Sequence, residues 1–238
     1  MLGTAAYYYP MIGLAFVCMV ALAAWRAGEV GLNPWKVASV CGVSLLAGIV
    51  GARIGYVVLR WNYYRLHPAL IHRLDLGGMV FYTGFALGMA GVLAAIQVFR
   101  LPLGKTVDLI IPPGVFAQAV GRIGCFLTGC CAGIPTGLPW GVAFPPEIIR
   151  RHPTQLYEST GMFLLFFLLK RMERRNPPLG AVFYYALLYY SLLRFVLEFI
   201  REDARPGPFG LSIAQWISLA LVIWSGVKLR RLSLLRKA

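Results

Sequence analysis

Seven apolar runs divide the chain: Tyr8 to Trp25, Val37 to Leu59, Met79 to Phe99, Val107 to Leu127, Gln155 to Leu169, Leu179 to Ile200 and Leu211 to Leu229. Each approaches the roughly 20 residues that a helix needs to cross a bilayer. Hydrocarbon offers the backbone no hydrogen-bond partner, so a spanning segment must satisfy its own N–H and C=O groups, which a helix does and an open strand does not. The expected fold is therefore all-α, a polytopic integral membrane protein with about seven transmembrane helices. Pro112 and Pro113 should interrupt the fourth run, and the fifth is short. No basic leader or small-residue cleavage site marks the first run as a signal peptide, so the residues before it read as native sequence. Without an internal repeat or a long linker, residues 1–238 are expected to form a single transmembrane domain. External segments should fall around 60–78, 128–154 and 201–210.

Composition supports that frame: 59% of residues are hydrophobic and only 13% are charged, far from the balance of a soluble domain. A net charge of +14 would suggest nucleic acid as a partner of a soluble protein. Here the cations fall mostly between the apolar runs, so topology accounts for them and no nucleic-acid partner is expected. One set of alternate segments holds Arg26, Lys36, Arg100, Lys105, Lys170, Arg171, Arg174, Arg175 and the basic tail from Lys228 to Lys237. It outweighs the set with Arg60, Arg65, Arg73, Arg150, Arg151, Arg201 and Arg205. By the positive-inside rule the amino terminus is outside and the carboxyl terminus cytoplasmic.

Against this background a few polar residues stand where polarity is expensive. Arg122 sits in Gly121-Arg-Ile-Gly-Cys-Phe-Leu-Thr-Gly-Cys-Cys-Ala-Gly133, at the end of an apolar run. An arginine near hydrocarbon costs several kcal/mol unless it is paired, so it should line a polar cavity that handles an anion. Arg53 is embedded among Gly48, Gly51, Ala52 and Gly55, and a second glycine cluster, Gly77, Gly78, Gly84 and Gly88, surrounds Tyr82. Such small-residue spacings serve plain helix packing more often than chemistry. Arg194, Glu198 and Arg201 fall at i, i+4 and i+7, which places all three on one helix face and leaves guanidinium donors for a phosphate. Arg60, Arg65, Arg73, Arg150 and Arg151 read as headgroup contacts or solvated charges, and His67 and His72 as polar-loop residues. His152 differs, since it precedes Pro153 and Gln155 at a re-entry into the membrane.

Five cysteines do not make an extracellular disulfide framework, because Cys18 and Cys41 lie inside apolar runs. Cys125, Cys130 and Cys131 remain open to nucleophilic, disulfide or structural roles. A zinc site wants four ligands at a different spacing, so neither a metal nor another cofactor is expected.

Five motifs follow one another in the order seen in bacterial prolipoprotein diacylglyceryl transferases. They are Gly51-Ala-Arg-Ile-Gly-Tyr-Val57, Gly77-Gly-Met-Val-Phe81, Gly121-Arg-Ile-Gly124, Arg151-His-Pro-Thr-Gln-Leu-Tyr-Glu158 and Arg194-Phe-Val-Leu-Glu-Phe-Ile-Arg201. The chain resembles that family along essentially its whole length. The resemblance implies an inner-membrane enzyme of seven spans with its site open to the periplasm. Such an enzyme moves the diacylglyceryl group of phosphatidylglycerol onto a lipoprotein precursor's cysteine thiol and releases glycerol phosphate. Arg122 matches the arginine of the family signature, and Arg194 with Glu198 match its penultimate helix. Cys125 stands where the signature has asparagine, Cys130 where it has glutamate, and Tyr82 where the family has histidine. One of Tyr7, Tyr8 and Tyr9 should match an early family tyrosine.

The expected catalytic set is thus Arg122, Arg194, Glu198, Tyr82, Cys125, Cys130 and His152, with Arg53, Arg201, Gln155 and Tyr157 joining the two arginines in substrate binding. Tyrosine is a poor base at neutral pH unless a cation lowers its pKa from about 10. Two other readings remain: a related transferase that takes an anionic phospholipid but has another acceptor, through a cysteine intermediate, and a non-catalytic lipid-binding membrane protein.

Overall fold

The computed structural model describes residues 2–73, 78–202 and 207–235, with backbone alone for residues 2–9, 81 and 235. Gly77, Arg205, Arg236 and Lys237 lie outside the described residues, as do the side chains of Tyr7, Tyr8 and Tyr9. Each apolar run of the sequence falls on a helix: α1 (Leu2–Glu29), α2 (Pro34–Leu59), α4 (Phe81–Val98), α5 (Leu103–Leu127), α6 (Thr154–Glu173), α7 (Ala181–Leu197) and α8 (Ile213–Leu235). A one-turn helix, α3 (Trp61–Tyr64), follows α2. Among the described residues four helical stretches are long and apolar enough to cross a membrane: Pro10–Glu29, Pro34–Leu59, Leu103–Leu127 and Ala181–Ile200, with Tyr82–Val98 a shorter apolar helix.

Contrary to the sequence reading, α5 runs through Pro112 and Pro113 without a break. The two prolines remove two helical N–H donors, a loss that membrane helices tolerate when neighbours re-satisfy the freed carbonyls. Both are fully buried.

The chain forms two compact units, residues 20–106 and residues 1–19 with 107–238. In the first, α2 and α4 pack through the glycine stripe. A Cβ on Gly51 would stand 2.6 Å from both the Leu87 Cβ and the Thr83 carbonyl oxygen, and one on Gly55 would overlap the Thr83 side chain. The helices meet this closely because those positions carry no side chain. In the second unit, Val115 and Ala119 of α5, Met162, Leu165 and Leu169 of α6, and Val182 and Ala186 of α7 form one apolar cluster. Asp108 of α5 ties this packing together by accepting from the backbone N–H groups of Gly180 (2.6 Å) and Phe183 (3.0 Å) at the start of α7. Gly180 has no side chain to cap that helix, so the carboxylate does so from α5.

Between α5 and α6 the chain makes a short antiparallel ribbon, β1 (Val142–Ala143) with β2 (Arg150–Arg151), Val142 opposite Arg151. A backbone bridge from Pro135 to Arg151 closes that connection on itself, and one from Gly133 to Arg201 joins it to the segment after α7.

Candidate active site

The second unit gathers most of the residues singled out in the sequence. α5 stops after Leu127 because Gly129 adopts a left-handed conformation, φ 72°. The Gly129 N–H then reaches the Phe126 carbonyl (3.0 Å) and the Cys130 N–H reaches the Cys125 carbonyl (3.2 Å). These two bonds make a Schellman cap, which brings the residue just beyond the turn against the last turn of the helix. The cap puts Cys130 beside Cys125.

Cys131 follows with φ 61°, a left-handed conformation unusual for a side-chain-bearing residue. The first turn of α6 holds it there: the Thr154 hydroxyl donates to the Cys131 carbonyl (2.8 Å) and the Gln155 amide donates to the Cys130 carbonyl (2.6 Å). Gln155 is buried, so this amide positions the cysteine turn. The Cys131 thiol is pushed above its ordinary pKa of 9.0 by a hydrogen bond with Cys130 and by burial, while Arg201 opposes the shift. It stays protonated at neutral pH, which makes it a poor nucleophile.

Arg122, one turn before the cap, pairs with Glu158 of α6 at 2.9 Å. Glu158 is almost wholly buried and also accepts from the Gln118 amide at 3.3 Å. Arg194 pairs with Glu198 at 2.7 Å, and the other Glu198 oxygen accepts from the Ser212 hydroxyl at 2.8 Å. Tyr190, one turn before Arg194, lies within electrostatic range of Arg122, Glu158 and Arg194. Arg201 approaches Glu198 at 4.0 Å. Arg122 and Arg194 are each held by a glutamate that is nearly or wholly buried. Nη1 of Arg194 is buried and makes no hydrogen bond among the described residues. An anion with several oxygens would satisfy that donor.

Arg201 arrives there by a route that the spacing did not predict. The helix ends at Leu197, a 3-10 turn covers Glu198–Ile200, and Arg201 is extended at φ −84° and ψ 138°. The three residues do not share one helix face. Arg201 instead belongs to the bridge with Gly133.

His152 and Tyr157 form a further group. The Trp140 indole N–H donates to the Tyr157 hydroxyl (2.8 Å), which lies 3.3 Å from His152 Nδ1. The His152 carbonyl accepts from the Gly133 N–H and so anchors the end of the cysteine turn. Arg151 is not a loosely solvated charge: its guanidinium holds Glu147 (2.7 Å) and Glu202 (2.6 Å) and reaches the Gly133 carbonyl. Both carboxylates raise its pKa above the ordinary arginine value.

Arg53 and Tyr82 belong to the other unit. The Arg53 guanidinium donates to the carbonyls of Leu70 (2.7 Å), Ile71 (2.8 Å) and Gly78 (3.3 Å) and lies over the rings of Tyr56 and Tyr64. Those bonds organise the segment after α3. Tyr82, in the first turn of α4, is half exposed. Glu158, Gln118, Tyr190 and Ser212 were missing from the expected site, although Glu158 offered a signal as a lone carboxylate entering an apolar run. No group of three or more His, Cys, Asp or Glu among the described residues is arranged to hold a metal ion.

A family model described as prolipoprotein diacylglyceryl transferase matches residues 3–229. Among similar proteins, the phosphatidylglycerol–prolipoprotein diacylglyceryl transferase of Clostridium tetani is 35% identical over 222 residues, covering 91% of this chain and 88% of the relative. Its namesake in Azoarcus sp. is 37% identical, covering 91% and 86%. That of Cupriavidus metallidurans is 39% identical over 194 residues, 77% of this chain and 70% of its own.

Proposed function

This chain belongs to the prolipoprotein diacylglyceryl transferase family, and from that premise we propose that it moves the diacylglyceryl group of phosphatidylglycerol onto the cysteine thiol of a lipoprotein precursor. The observation that carries this reading to particular residues is the pair of ion pairs Arg122–Glu158 and Arg194–Glu198, with the buried Arg194 Nη1 that makes no hydrogen bond among the described residues. Each guanidinium has five N–H donors, and its glutamate occupies only part of that set. The remainder faces the phosphate of the donor lipid.

In the reaction the precursor's sulfur forms a bond to the glycerol carbon of the diacylglyceryl group. The carbon–oxygen bond to phosphate breaks, and its electron pair leaves with glycerol phosphate. Negative charge grows on that phosphate in the transition state, so fixed guanidinium donors in a site of low dielectric lower the barrier. Glu158 and Glu198 hold the two arginines in place, and Gln155 holds the cysteine turn beside them. The sulfur must also lose its proton. His152 is the acceptor we assign, with its Nδ1 3.3 Å from the Tyr157 hydroxyl, which orients the ring.

Seven spanning helices, α1, α2 and α4 to α8, accommodate this chemistry in a bacterial inner membrane. The distribution of Lys and Arg supports an external amino terminus and a cytoplasmic carboxyl terminus. The cysteine turn, the ribbon and the Arg201 bridge then face the periplasm, where a lipoprotein precursor presents its thiol. Expression in a bacterium depleted of its own diacylglyceryl transferase tests the reading. Growth and lipidated precursor should return, and accumulation of unmodified precursor despite membrane-inserted protein would refute it.

A further inference from the structure

The end of α5 carries cysteines to which the proposed transfer step assigns no role. In the Schellman cap the backbone bond from Cys130 to the Cys125 carbonyl spans the two residues whose side chains such a cap brings into contact. Both of those residues are cysteines. The Cys130 Sγ lies 3.6 Å from the Cys125 carbonyl oxygen and 3.4 Å from the Thr128 hydroxyl. All the cysteines are free thiols.

The two thiols differ in access. Cys130 is exposed and Cys125 is partly buried. An exposed thiol is the sulfur that an incoming disulfide can reach. Cys131 also interacts with Cys130, but its backbone is fixed by Thr154 and its thiol is drawn towards Arg201 as well.

We propose that Cys125 and Cys130 form a reversible dithiol–disulfide pair that closes by exchange with a soluble disulfide. The Cys130 thiolate attacks one sulfur of the incoming disulfide and expels the other half as a thiol, giving a mixed disulfide on Cys130. The Cys125 thiolate then attacks the Cys130 sulfur and expels the second half. One protein disulfide and two soluble thiols result from two protein thiols and one soluble disulfide. The cap needs no rearrangement of the helix, because its backbone bonds already hold the two residues together.

The test uses the full-length protein in detergent micelles or phosphatidylglycerol vesicles, treated with oxidised glutathione at neutral pH. Remaining thiols are blocked and peptides mapped by mass spectrometry without reduction. The expected product is a Cys125–Cys130 cross-link that dithiothreitol reverses, that still forms in Cys131→Ser, and that is lost in Cys125→Ser and Cys130→Ser. Glutathione retained on Cys130 without cross-linking, a Cys130–Cys131 product, or no product would each overturn the proposal. The readout is a covalent bond and not turnover, so it stands or falls independently of the transferase assignment.

Discussion

The Arg122 guanidinium stands 2.9 Å from the carboxylate of Glu158, a side chain that is only 1% exposed. Removing the glutamate leaves a cation with no counter-charge in a region that hydrates it poorly. Glu158→Gln should therefore lower stability by about 3 kcal/mol, the low end for a broken buried pair because part of Arg122 still reaches solvent. Arg122→Lys keeps a charge but loses the fork of donors, and should lower kcat on the order of a hundredfold. Thermal unfolding in detergent measures the first effect and glycerol phosphate release the second.

Gly51 is the tightest point between α2 and α4 at which backbone is the obstacle, since a Cβ would meet the Thr83 carbonyl oxygen at 2.6 Å. Gly51→Ala should cost about 1–3 kcal/mol, the usual range for forcing atoms into a packed contact. Gly13 has nothing within 4 Å of the equivalent point. Gly13→Ala should leave the melting temperature unchanged or slightly raised, and equal losses at both positions would contradict the packing described.

Asp108 serves α7 from another helix. Asp108→Ala removes acceptors from Gly180 N–H and Phe183 N–H together and should destabilise by about 1–2 kcal/mol. Asp108→Asn retains one amide oxygen and should lose less. Unfolding midpoints of the two variants give the comparison.

Cys131 predicts a pH dependence. Its thiol holds its proton above the ordinary value of 9.0 in the folded protein. Above that pH the unfolded chain releases a proton that the folded chain keeps, so stability falls as pH rises, and the contribution is fully present below it. Cys131→Ser should flatten the decline in melting temperature on the alkaline side of pH 9, the ordinary value for the thiol. At neutral pH, iodoacetamide should modify Cys130 ahead of Cys131.

The sequence made the helices and the Arg194–Glu198 pair legible for a simple reason: both are local. Apolar runs set the helices, and an i, i+4 spacing on one helix sets the pair. The partner of Arg122 is 36 positions away on α6, a distance that no periodicity encodes. The departure of Arg201 from the helix face has a similar origin, since its bridge to Gly133 is a long-range strand contact that overrides the helical register. Arg53 looked like an anion ligand because an arginine among glycines is costly, but that cost is met by the carbonyls of residues 70, 71 and 78. The cap at Gly129 could have been found earlier, because a glycine just beyond an apolar run is the usual mark of a left-handed stop. Its consequence, two adjoining thiols, follows once the stop is recognised.

Transfer itself is the central claim. Purified protein in phosphatidylglycerol vesicles is incubated with a lipobox peptide containing one cysteine, and released glycerol phosphate is measured alongside the mass of the peptide. The account predicts equal amounts of glycerol phosphate and diacylglyceryl-modified peptide, with neither formed when the peptide cysteine is replaced by serine. Folded protein that releases no glycerol phosphate, in a preparation where another member of the family is active, would contradict it.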